Sequence, residues 1–120
     1  IKQNRSNSEY YYNLANVYFK LGEFSLAKRN YNLAISMEPE NKNSHFALAN
    51  LYYSEKHYKK ALEELQGNFF EARFLKAVIL YETGYLALAR RELNELAEEF
   101  PEKSMVGEYK AKIDSELGLS

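Results

Sequence analysis

Two prolines punctuate the whole chain, and each closes a stretch of the same design: the spacing from Gly22 to Pro39 equals that from Gly84 to Pro101. An alanine follows each glycine at one shared spacing, at Ala27 and Ala89. Alanines also recur over a longer period of about 34 residues, from Ala15 to Ala49 and again from Ala77 to Ala111. Self-similarity at a fixed period near this length marks a stacked repeat, in which each copy buries its apolar face on the next. Between the punctuation the spacing is helical. Tyr11, Leu14, Ala15 and Tyr18 follow the i, i+3, i+4, i+7 rule, as do His45, Leu48, Ala49 and Tyr52. A second helical stretch follows each turn, predicted over Phe24 to Met37, Tyr58 to Gln66 and Tyr85 to Phe100. Gly22 and Gly84 can take the left-handed conformation that ends a first helix, and Pro39 and Pro101 stop the second helices.

The run Tyr11-x-x-Leu14-Ala15-x-x-Tyr18, followed by Gly22, Ala27, Tyr31, Ala34 and Pro39, resembles the tetratricopeptide repeat over residues 8–41. Tyr11 stands where that repeat has Trp, and Ala15 supplies the small residue. The resemblance implies an all-α fold, a right-handed α-solenoid of antiparallel helix pairs with about three repeats, over residues 8–41, 42–69 and 70–101. A capping helix follows at 102–118. Residues 8–118 are expected to form a single domain behind a polar, disordered stretch at 1–7. The second repeat departs from the pattern: Lys56 takes the place of the turn glycine. Gly84 comes short of two full periods after Gly22, so a short helix and an abrupt turn are expected around Gln66-Gly67-Asn68. The third repeat puts Arg73 and Lys76 at positions that are normally apolar. Asp114 falls where Tyr18 and Tyr52 fall, which reads as the polar face of a terminal cap.

Composition removes several function classes. The 120 residues contain no cysteine, which excludes disulfides, thiol nucleophiles and thiolate metal sites. The formal charge is −1, so no strong field favours nucleic acid, and no apolar run is long enough to span a bilayer. Residues 1–60 carry nine basic and five acidic groups, against seven and twelve in residues 61–120, a division that reads first as a solvated mixed surface and second as a basis for head-to-tail contacts between copies. The chain starts at Ile1 rather than methionine and is read as a fragment.

No catalytic constellation, cofactor motif or metal-ligand set emerges. His45 lies on a packing stripe and His57 in a turn, and neither has a second ligand at i+3 or i+4. Glu63-Glu64 and Glu98-Glu99 are adjacent on helices, so their side chains diverge by roughly 100°. The remaining pattern is surface. Tyr12 and Phe19, Phe46 and Tyr53, and Phe74 and Tyr81 are aromatic pairs spaced i, i+7, one per repeat, with Asn13, Asn16 and Asn50 beside them. In a stack of helix pairs these positions line the concave face. Aromatic rings supply contact area at low entropic cost, and amides can both donate to and accept from a peptide backbone.

The expected function is a non-catalytic scaffold that binds a peptide or helix of a partner protein in this aromatic-lined groove. The alternatives are a self-association module building a homo-oligomer, or a regulatory or targeting module of a larger protein, such as one of the bacterial envelope. Relatives that hold a C-terminal carboxylate do so with Lys, Arg and Asn. Here Asn16 matches, but Tyr12, Ala47, Glu71 and Leu75 stand at the other places, so a carboxylate clamp is not expected.

Overall fold

The computed structural model describes residues 2–119, with side chains from residue 7 onward. Among the described residues seven helices account for the regular structure: α1 (Lys2–Lys20), α2 (Phe24–Met37), α3 (Lys42–Ser54), α4 (Tyr58–Glu64), α5 (Phe70–Glu82), α6 (Leu86–Glu99) and α7 (Ser104–Leu117). No strand occurs among the described residues. The chain divides into two compact units, residues 1–66 and 67–120. In the first, α1 packs on α2, α2 on α3, and α3 on α4; in the second, α5 packs on α6 and α6 on α7, and α7 also touches α5.

The four first helices, α1, α3, α5 and α7, end in one and the same way. Each closes with a pair of hydrogen bonds, the later donor reaching back five residues and the earlier one three. Glu23, His57, Tyr85 and Leu119 donate their N–H to the carbonyls of Tyr18, Tyr52, Leu80 and Asp114, at 2.7–2.9 Å. Gly22, Lys56, Gly84 and Gly118 donate to Phe19, Tyr53, Tyr81 and Ser115. This geometry requires a left-handed residue at the turn, and the four have φ of 79°, 63°, 92° and 75°. Lys56 is the one of them with a Cβ, and it bears the steric strain that glycine escapes. Lys56→Gly is therefore expected to stabilise residues 1–66 by about 1 kcal/mol, the relief exceeding the extra entropy of an unfolded glycine. Chemical denaturation of the variant beside the parent chain would show it as a raised midpoint at unchanged slope.

Helix α4 has 7 residues where α2 and α6 have 14 each. It stops because Leu65 turns to extended backbone (φ −72°, ψ 121°) and Gly67 takes φ 81°, the abrupt turn expected at Gln66-Gly67-Asn68. At the other end of the chain α1 is already helical from Lys2, so the disorder expected for residues 1–7 is not what the structure has over 2–7. Lys, Gln and Arg are good helix formers and no Gly or Pro interrupts them, so the helix propagates outward from the packed turns. Ile1 lies outside the described residues.

Two cores hold the units. Ala15, Ala27, Tyr31, Leu48 and Leu51 form one, and Phe70, Ala77, Ala89, Leu93, Leu96, Val106 and Ile113 the other. The repeated alanines Ala15, Ala49, Ala77, Ala27, Ala61 and Ala89 are all fully buried, which lets paired helices approach closely. Ala111 is different: it is exposed. In α5 the buried positions are Ala72, Leu75, Val78 and Ile79 together with Phe70 and Ala77. The apolar face thus sits beside the positions of Arg73 and Lys76, so Lys76 is exposed and the Arg73 guanidinium reaches Glu99 at 2.7 Å.

His45 is the packed ring expected of its stripe. Its Nδ1 lies 2.9 Å from Glu64 Oε1 and its Nε2 lies 2.8 Å from the Pro39 carbonyl, tying the α2–α3 turn to the end of α4. Asp114 has an internal explanation as well. Arg90 Nε donates to its Oδ1 at 2.7 Å, and at the corresponding place on α2 Lys28 pairs with Glu55 at 2.9 Å. Its polarity is therefore accounted for by a partner on α6.

Candidate protein-interaction face

Three of the expected groove residues on α1 lean on the second helix of their own pair. Tyr12 is half-buried with its ring centroid 6.0 Å from that of Tyr31, and Phe19 lies 5.4 Å from Phe24. The Tyr31 hydroxyl donates to Asn16 Oδ1. These residues are part packing, part surface, while Asn13 is exposed. On α3, Phe46, Asn50 and Tyr53 are half-buried, and the Tyr53 ring lies 6.0 Å from Tyr58 at the start of α4.

Beside Tyr12 and Asn13 is a cavity of about 300 Å³, whose other walls are Glu9, Asn41 and Asn43. Asn41 is the N-cap of α3, its Oδ1 accepting from the N–H groups of Asn43 (2.9 Å) and Ser44 (3.2 Å), and this fixes where α3 begins. Glu9, Tyr12, Asn13 and Asn16 are spaced i, i+3, i+4, i+7 on α1; Asn43, Phe46, Asn50 and Tyr53 run down one side of α3. Each row follows one side of its helix, and the cavity opens at the N-terminal end of both rows.

The third aromatic pair is placed otherwise. The ring of Tyr109 on α7 sits edge-on to both Phe74 (5.5 Å) and Tyr81 (5.8 Å), and Phe74 stacks on Phe70 at 5.5 Å. The Tyr81 hydroxyl donates to Glu116 at 2.8 Å, a bond that holds the Tyr81 proton above its ordinary range. Phe74 and Tyr81 are engaged by α7 of their own unit. The position that Tyr109 fills in α7 is held by a small residue, Ala47, in α3.

Residues 8–41 match the tetratricopeptide repeat family. The crystal structure of a tetratricopeptide repeat protein from Parabacteroides merdae ATCC 43184 superposes with a TM-score of 0.80 at 24% identity, over 94% of this chain and 46% of that one. The fold is the tetratricopeptide repeat fold. The chain spans less than half the length of that protein. A comparison with curated proteins gives no match. Tetratricopeptide repeats generally mediate protein–protein interaction, and the family is typically a non-catalytic scaffold.

Within the first tetratricopeptide repeat, Tyr31 carries a measurable signature of the α1–α2 seam. Burial, and then the neighbouring Tyr12, push its hydroxyl up to about 12 from an ordinary 10.0. Below pH 10 folded and unfolded chains both keep the proton. Between about pH 10 and 12 the unfolded chain releases it while the folded one keeps it, so stability falls as pH rises, by up to about 3 kcal/mol. Tyr31→Phe is expected to flatten this slope, read by comparing urea midpoints of the two proteins from neutral to alkaline pH. An unchanged slope would place the group in contact with water.

Three lining residues, Glu9, Asn41 and Asn43, escaped the sequence reading, which selected aromatics and the amides between them. A signal was present: Glu9 precedes Tyr12 and Asn13 by three and four residues, and Asn43 precedes Phe46 by three. Asn41 also carries a helix-start signature, an amide just after Pro39-Glu40 and before a helical run.

Proposed function

We propose that the chain is a non-catalytic protein-interaction scaffold whose binding face lies on α1 and α3 of residues 1–66 and takes a peptide or helix of a partner protein. The observation that carries the reading is the cavity between Tyr12, Asn13 and the α3 start. It adjoins two rows of half-buried rings and amides, the mix of contact area and backbone-directed hydrogen bonding that suits a polypeptide. Phe74 and Tyr81, proposed from sequence for the same role, are engaged by Tyr109 and Glu116, so the reading centres on Tyr12, Asn13, Asn16, Phe19, Phe46, Asn50 and Tyr53.

Site-specific photocrosslinking tests it. A benzophenone side chain at Asn13 is expected to trap a partner protein, whereas the same group at Arg29, exposed on α2, traps none. Equal trapping from both positions would remove the face from consideration.

A further inference from the structure

We infer that the cavity at the head of this face is a subsite for a lysine or arginine side chain carried on an extended segment of the partner protein. The inference rests on the protein-binding reading above and adds the chemistry of the partner.

The lining decides the sign of the ligand. Glu9 offers carboxylate oxygens, which only accept. Tyr12, Asn13 and Asn43 offer a hydroxyl and two amides. None of these described lining residues is cationic. A second cavity of about 340 Å³ shares the Asn41 wall and is bounded by Glu38, Pro39 and Glu40; Glu38 already accepts from Asn41, so the further carboxylate there is that of Glu40. Lys42 lies between Asn41 and Asn43 in sequence, but consecutive helical side chains diverge by roughly 100°; it is exposed and lines neither cavity.

The shared wall is preorganised. Asn41 uses its Oδ1 to cap α3 and donates from Nδ2 to Glu38 Oε1 at 3.3 Å, so its side chain is pinned from both ends. A segment ending in a carboxylate, an acidic peptide or a nucleic-acid phosphate would meet like charge here. A basic side chain meets acceptors, while Asn13 and Asn43 remain for its backbone.

The test uses labelled decapeptide pools, randomised except for one fixed central residue, titrated into the whole chain by fluorescence polarisation. The fixed residue is Lys, acetyl-lysine or Glu. The Lys pool is expected to bind most tightly, and Glu9→Gln to weaken it about fivefold with circular dichroism unchanged, the size of a partly exposed ion pair. Added salt should erode the preference, and Glu9→Lys should transfer it to the Glu pool. Equal binding of all three pools that falls with Asn13→Ala would overturn the basic subsite while keeping the face. Binding indifferent to both Glu9→Gln and Asn13→Ala would overturn the subsite and the face together.

Discussion

Ile113→Ala is expected to destabilise residues 67–120 by about 2–5 kcal/mol, the usual cost of emptying a fully buried branched side chain. Ile113 has no exposed surface and, with Val106, is what α7 contributes to the core around Leu93 and Leu96. The remaining attachments of α7 are worth less. The Arg90–Asp114 pair is about a third exposed and contributes no more than about 1 kcal/mol, and the Tyr81–Glu116 bond lies at the surface, open to competition from water. The deletion should therefore loosen α7 ahead of α5 and α6. Hydrogen exchange read helix by helix is the measurement: the α7 amides should lose protection first, and the rings of Phe74 and Tyr81, now packed on Tyr109, should become more accessible with it. Uniform loss of protection across the three helices would mean that α7 has no separate opening.

A second large effect is expected at a small residue. Ala77→Leu should cost about 1–3 kcal/mol or more, because Ala77 is fully buried within the second core and three added carbons have no space. Ala111→Leu makes the same chemical change one repeat period later, at an exposed position, and should stay within about 0.5 kcal/mol. The contrast isolates environment from propensity, since leucine and alanine are both good helix formers. Paired thermal denaturation of the two variants decides it; similar losses would mean that position 111 is as closed as position 77.

The candidate face was legible in part, and the line between its readable and unreadable halves is physical. Periodicity places Tyr12, Asn13 and Asn16 on one side of α1, because a turn of about 3.6 residues is a property of the backbone. It does not say how far along α1 the start of α3 will stand. That distance is set by the α2–α3 turn and the Asn41 cap, and it brings Asn41 and Asn43 to the end of the α1 row and makes Glu9 part of a wall. Phe74 and Tyr81 match the earlier pairs in sequence, yet both pack edge-on to Tyr109, because α7 offers a large ring where α3 offers Ala47.

By itself the sequence determined the all-α class, the second helix at Phe24–Met37, the shortened α4 and the turn positions. Each of these is local: a left-handed residue, a proline or an apolar period acts within a few residues of itself. Even Lys56 was legible as a turn from its place one repeat period after Gly22, and its φ of 63° shows the turn outweighing the side chain. Only the tertiary structure decided that Ala77 is closed while Ala111 is open, that Arg73 and Asp114 are matched by Glu99 and Arg90, and that Phe74 and Tyr81 pack on Tyr109 while Tyr12 lines a cavity. Those outcomes depend on which side chain a neighbouring helix presents at the crossing. Contacts between residues far apart in the chain are set by packing volume and charge pairing, and no local period encodes them.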